Sequence, residues 1–339
     1  MQRDIERNFG RRTFLKSAGA IAGYAALGQA THVFAATQDS RAIPLVSYLE
    51  IGGEFHRGTW IDGGGPQAPV MAGAFGADGS TAPKMNGPTR FDDIQFLLPL
   101  ARSKNLWPWI QESLSGSAKI ARREASLFWL DPSLAPPPGQ PVFQLKLGAA
   151  VLTEIRFPGA VAADRETAQI ALKIAADQYQ FPPPARLPTQ PQMPAGFVMG
   201  NSSLYQLQIQ GLESETRYAT RVTPPLWTRK LVAGTLGDSR QPEFRVGAAE
   251  IGPLRFSIPL NSPVPALGLR RWCESVLLRG EQNDRRPGIL TYGAPNGRDD
   301  AARLGFVQLL PYKMGIRGLP GGEGAIMDIE MSVFQMTAA

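Results

Sequence analysis

Two stretches of the chain, LWPWIQESLSG at 106–116 and LRRWCESVLLRG at 269–280, carry the same tryptophan-centred pattern half a chain apart. In the second, Leu269, Trp272, Cys273, Val276 and Leu277 fall at i, i+3, i+4, i+7 and i+8, which is one apolar face of a helix. In the first, Leu106, Trp109, Ile110 and Leu114 take the equivalent places, and Ser113 stands where the second has valine. Asn105 is the expected N-cap of the first helix, with Pro108 in its first turn. Ser262, Pro263 and Pro265 suit the entry to the second, because proline is tolerated where the N–H has no helical partner. A pattern used twice implies a fold built twice, so the chain is read as two copies of one unit.

The offset of 163 residues that joins the helices continues beyond them. Arg122-Arg123 maps to Arg285-Arg286, Leu127 to Leu290, Trp129 to Tyr292, Phe143 to Phe306 and Leu147 to Leu310. Upstream the offset shrinks by a few residues: Phe96, Pro99 and Leu100 match Phe256, Pro259 and Leu260. Leu49-Glu50-Ile51 before Gly53 matches Leu207-Gln208-Ile209 before Gly211. Both halves close on an alternating strand, with Ile170, Leu172, Ile174 and Ala176 in one and Met327, Ile329, Met331 and Val333 in the other. Each unit therefore reads as strand, long loop, strand, amphipathic helix and then three strands. The proline-rich stretch at 181–196 precludes helix or central strand and reads as a spacer. The expected organisation is one unit over 37–180, a linker over 181–200 and a second unit over 201–339. High Gly and Pro content suits this mainly β reading.

The first 35 residues read as an address. GRRTFLK at 10–16 resembles the twin-arginine export motif through Arg11, Arg12, Phe14, Leu15 and Lys16, with Gly10 in place of the usual Ser or Thr. A weakly apolar run at 18–28 and the small residues of VFAA at 33–36 complete a signal peptide, with cleavage expected after Ala35 or Ala36. The resemblance implies passage through the twin-arginine translocase, already folded, to the periplasm or the cell exterior. No later stretch has the length and apolarity of a membrane span.

Residues 89–181 resemble the phage tail-tube family, whose fold is shared with the type VI secretion tube protein. The likeness rests on TRFDDIQFLLPL, the helix LWPWIQESLSG, the strand ARREASLFWLD, the Phe157-Pro158 corner and the closing strand ETAQIALKIAADQYQF. Residues 252–336 follow it through the internal match. The resemblance implies two tandem β-sandwich or barrel domains, each with one flanking helix. It also implies a homo-oligomer: family members form six-fold rings that stack into tubes, so three two-unit chains would complete a pseudo-hexameric ring. The glycine-rich stretch at 61–80 lies where the family has its long loop, and two readings stay open for it: an adhesive segment between rings or a disordered insertion.

The residues suited to catalysis are few. Beyond the address the chain has one histidine, His56, and one cysteine, Cys273. That excludes an internal disulfide, a zinc-ligand cluster and a Ser-His-Asp triad built on several candidates. Cys273 lies on an apolar helix face and reads as core, and His56 reads as a surface residue. Asp92-Asp93 and Asp299-Asp300 are adjacent pairs, whose side chains point apart in a strand. The net charge of +6 falls to +3 without the first 35 residues, and no basic stripe suggests nucleic acid. The expectation is a structural protein without cofactor or catalytic site, whose key residues are the helix anchors Leu106, Trp109, Ile110, Leu269, Trp272 and Cys273. A second reading stays open: a monomeric extracytoplasmic carbohydrate-binding or carbohydrate-active protein, with a concave site lined by exposed Trp60, Trp107 or Trp227.

Overall fold

A computed structural model describes residues 45–68, 70–71, 85–86, 89–101, 103–115, 121–131, 141–162, 166–183, 199–234, 243–294, 300–319 and 324–339. The export motif, the cleavage site and most of the proline-rich linker lie outside these residues. The fold is mainly β.

In the first half, β1 (Val46–Ile51), β2 (Glu54–Gly58), β3 (Trp60–Asp62), β8 (Ile94–Pro99), β9 (Arg123–Leu130), β10 (Pro141–Arg156) and β12 (Gln169–Ala175) form one antiparallel sheet. Its order is β2-β1-β9-β10-β12-β8-β3, with β13 (Gln178–Gln180) added on β10. Because β2 and β3 are joined by one residue, Thr59, the two ends of the order meet and the sheet curls towards a barrel. Two small ribbons extend from it: β4 (Pro66–Gln67) with β7 (Arg90–Phe91), and β5 (Val70–Met71) with β6 (Met85–Asn86). Helix α1 (Leu106–Leu114) links β8 to β9.

The second half runs through β14 (Tyr205–Ile209), the short helix α2 (Glu213–Thr216), β15 (Arg221–Thr223), β16 (Trp227–Gly234), β17 (Glu243–Ile251) and β18 (Leu254–Pro259). Helix α3 (Leu267–Arg279), β19 (Arg286–Gly293), β20 (Asp300–Gly318), β21 (Ala325–Ser332) and β22 (Gln335–Ala338) complete it. The pairings of the first half recur. β14 pairs β19 as β1 pairs β9, β19 pairs β20 as β9 pairs β10, and β18 pairs β21 as β8 pairs β12. β22 lies on β20 as β13 lies on β10.

The long strands β10 and β20 hold each unit together. β10 pairs β9 up to Ala150 and β12 from Val151, and the change of partner coincides with a bulge. At that bulge Ala149 takes φ 52, a left-handed conformation unusual for a residue with a Cβ. β20 does the same with Gln308 at φ 57. The extra residue sharpens the bend that lets one strand serve two walls of a barrel. These bulges also correct the sequence alignment. Leu145 and Leu147 face Leu127 and Ala125, whereas Leu304 and Phe306 face Leu290 and Gly288. In the long strands Phe306 thus corresponds to Leu147, not to Phe143, and Ala302 stands where Phe143 does. The loop before β20 is shorter, and a constant offset of 163 overshoots there.

Leu106, Trp109, Ile110, Leu269, Trp272 and Cys273 are all buried. The indole N–H of Trp109 donates to the Ala121 carbonyl at 2.8 Å, and that of Trp272 donates to the Asp284 carbonyl at 2.9 Å, each twelve residues on. Leu277 departs from the expected face and is 37% exposed, whereas Leu114 is 2% exposed. One cluster of buried side chains runs from Leu49 to Ala338 through both halves.

Candidate functional site

The junction between the halves is the most built surface of the chain. At the far end of β10, Glu154 and Ile155 pair with Thr228 and Trp227 of β16. A residue pair further on, β11 (Ala160–Val161), pairs with β15 through Ala160–Val222 and Val161–Arg221. The sheet of the first half therefore continues into the second through main-chain hydrogen bonds, which leave no open edge at this place. Between them the Pro158 carbonyl accepts a hydrogen bond from the buried Tyr292 hydroxyl at 2.6 Å. Helix α1 covers β22, and the Gln111 side-chain N–H donates to the Ala338 carbonyl at 2.9 Å. Trp227 is buried here, with the Arg229 guanidinium 5.0 Å above its ring. Trp107 is buried too, edge-on to Phe157. These two tryptophans, expected to be exposed around a concave site, are instead packed: Trp227 is reached by the β10 edge of the first half, and Trp107 lies against Phe157.

The register identifies the counterpart of each junction element. Glu154 pairs Lys173, which pairs Gln95; Lys313 pairs Glu330, which pairs Arg255. Lys313 and Met314 thus stand where Glu154 and Ile155 do, but they have β21 as strand partner on one side and none among the described strands on the other. β3 stands where β15 does and ends its sheet. Among the described residues one such junction is filled, and the counterparts of its elements, Lys313-Met314 and β3, have no equivalent pairing.

Several charged side chains are paired within the structure. Arg123 meets Glu112 at 2.7 Å and Arg122 meets Asp177, so both arginines of the first charged turn hold the chain's own acids. Arg286 meets Asp284 at 2.9 Å and lies 4.8 Å above the Trp272 ring. On the outer face of β21, Glu330 accepts from Lys313 at 2.6 Å, Tyr312 at 2.7 Å and Arg255 at 3.0 Å. Hydrogen bonds from these three donors, with Lys313 the largest contributor, hold its carboxyl down at about 2.

Two carboxylates that sequence reasoning passed over hold the helices. Glu54 accepts from the backbone N–H groups of Lys104 and Asn105, and Glu215 from those of Gly268 and Leu269. Glu215 satisfies orphan donors of the first turn of α3, and Glu54 holds the two residues that lead into α1. Asn105 sits at the expected cap position without capping, because its amide instead donates to the Ile51 and Gly52 carbonyls. No local pattern reveals this, since each donor lies about fifty residues from its acceptor. His56 is buried, which corrects the surface reading, and its Nε2 lies 3.6 Å from the Glu54 carboxylate. Burial pushes its pKa below the ordinary histidine value, against the opposing pull of Glu54.

A cleft of about 600 Å³ beside the α1 start is lined by Glu50, Lys104, Asn105, Arg123, Glu124 and Lys146 among others. Its charges are mixed, and the Lys104 and Asn105 N–H groups just ahead of the helix are taken by Glu54. Among the described residues no three His, Cys, Asp or Glu side chains group as metal ligands. No helix among them is long and apolar enough to cross a membrane.

No family model matches the chain, and no curated protein matches its sequence. Solved structures do. The sheath–tube complex of an extracellular contractile injection system (PVC) in the extended state matches at 16% identity and TM-score 0.35, over 42% of this chain and 93% of that one. The sheath/tube terminator of the same kind of system matches at 14% identity and TM-score 0.34, over 40% and 93%. Hcp1 from Flavobacterium johnsoniae matches at 13% identity and TM-score 0.28, over 40% and 94%.

Proposed function

We propose that this chain is an exported structural protein that assembles head to tail into a ring, with two tail-tube-like units per chain, over residues 37–180 and 201–339, and three chains per pseudo-hexameric ring. The observation that carries the reading is the junction. The first half offers the β10 edge and the β11 corner, and the second half receives them on β16 and β15. The second half offers the same edge at Lys313 and Met314, and the first half has β3 where the second half has β15, the strand that receives β11. A surface that offers at one end what it receives at the other builds a heterologous contact, and such contacts close into rings when the rotation permits. Two sequence-related units joined by such a contact already display the rotation that the next chain would repeat.

The twin-arginine motif at Arg11 and Arg12, with Phe14 and Leu15, places assembly after export or accompanies an already folded chain outwards. The role needs no cofactor and no catalytic group. The alternative of a monomeric carbohydrate-binding protein loses two of the three tryptophans of its expected platform, since Trp107 and Trp227 are buried and only Trp60 is half-buried.

The test is the mass of the mature protein by light scattering, with negative-stain microscopy of the same sample. A trimer with six-lobed rings supports the reading. A monomer at high concentration overturns it.

A further inference from the structure

The unfilled ends differ from the filled junction in one respect that identifies what covers them. In the second half, the positions next to the junction are small or capped. Ala302 and Ala338 are buried, and Tyr292 donates to Pro158. By register their counterparts in the first half are Phe143, Phe181 and Trp129: Trp129 faces Phe143 as Tyr292 faces Ala302, and Phe181 follows Gln180 as Ala338 follows Thr337. These form an open aromatic mouth. Trp129 and Phe143 lie 5.1 Å apart, Phe143 and Phe181 5.8 Å, and Phe181 lies 6.3 Å from Phe91. Phe143 is 41% and Phe181 45% exposed.

The matching apolar surface lies at the other end of the chain. Helix α1 seats on Ala338, and its Leu114 is 2% exposed. Helix α3 packs on β20 but has no terminal strand in that place among the described residues, and its last turn presents Leu277 at 37% and Leu278 at 80% exposure. Ile316, on the same side of β20 as the core-facing Met314, is 59% exposed, whereas Ile155 and Phe157 at the filled junction are buried. Exposed large apolar side chains are thus found on both faces of the missing contact, where the filled copy of that contact buries its own.

We infer that the aromatic mouth at Phe143 and Phe181 is the docking site for the last turn of α3, through Leu277 and Leu278, of a second copy of this chain. The inference rests on the ring reading and assigns its interface. The helix takes on Phe181 the seat that α1 takes on Ala338. Because the helix brings leucines and the mouth brings aromatics, the contact between chains is more apolar than the one within a chain, as a contact that must hold without a covalent link requires.

Leu278→Asp and Phe181→Asp, made separately in the mature protein, test it by light scattering and thermal melting. The expected result is a mass that falls about threefold, from trimer to monomer, with the melting curve of the isolated chain retained. A mixture of a Phe181→Cys chain and a Leu278→Cys chain, mildly oxidised, is expected to give a disulfide-linked dimer that neither chain gives alone. A wild-type monomer overturns the ring reading and this site with it. A wild-type trimer whose mass survives both aspartates overturns this site alone and leaves the ring standing. Aspartate at 181 that lowers the melting temperature without changing the mass overturns it too, because the mouth is then covered by the chain's own residues.

Discussion

Trp109→Ala tests whether the helix is held as its side chain indicates. Trp109 is fully buried, and its N–H reaches the Ala121 carbonyl just ahead of β9 at 2.8 Å. The ring therefore does two things: it fills the space between α1 and the barrel, and it ties the helix to the following strand. Truncating a buried tryptophan costs about 3–5 kcal/mol in lost transfer energy and cavity. The abandoned carbonyl adds little, about 1 kcal/mol, because Ala121 is half-buried and water can replace the donor. Trp109→Phe separates the two, since it keeps most of the packed area and loses the hydrogen bond, and is expected to cost about 1–2 kcal/mol. For a chain of this size 1 kcal/mol corresponds to about 2 °C, so Trp109→Ala lowers the melting temperature by roughly 6–12 °C. The measurement is urea unfolding followed by far-ultraviolet circular dichroism, with the slope checked against wild type. Trp272→Ala is the parallel case, with the added loss of the Arg286 contact at 4.8 Å. An unchanged urea midpoint for Trp109→Ala would refute the reasoning, and so would an equal loss for the phenylalanine variant.

Ala149→Gly is expected to raise the melting temperature slightly, by about 0.5–1 kcal/mol of relieved left-handed strain, because φ 52 suits glycine; a lower melting temperature would mean that the bulge is not held there. Glu330 has a folded pKa of about 2, below the ordinary 4.5, so the stability it contributes is complete above pH 4.5 and is lost as pH falls through 2. Glu330→Gln should therefore flatten the dependence of melting temperature on pH across that window, and an unaltered slope counts against the three-donor cluster. Burial first, and Glu274 second, push the Cys273 thiol up to about 12, so it should ignore a thiol-specific chromogenic reagent until the protein is denatured. Rapid labelling of the native protein would show that the α3 face opens.

Much of the architecture is legible in the residues. Alternation at 170–176 and 327–333 marks strands whose buried side is the core, and the 3.6-residue spacing around Trp109 and Trp272 marks the helices. The repeat predicts that the pairings recur, because the same apolar pattern must be buried in the same way. Less of the candidate site is legible. Periodicity says which face of an element is apolar but not what covers it. Leu114 and Leu277 look equivalent in the sequence, yet one is buried, on a helix that packs against β22, and the other is 37% exposed.

What the residues set locally is the elements themselves: two helices, each anchored by a tryptophan, and strands that alternate. The remaining features depend on partners distant along the chain. The helix starts are held by Glu54 and Glu215 across about fifty residues. The bulges at Ala149 and Gln308 reset the register of the long strands. Trp227 is core because the β10 edge reaches it from the other half. Each of these is chosen by the total burial and hydrogen bonding of the assembled chain, a sum over residues far apart that no short stretch contains.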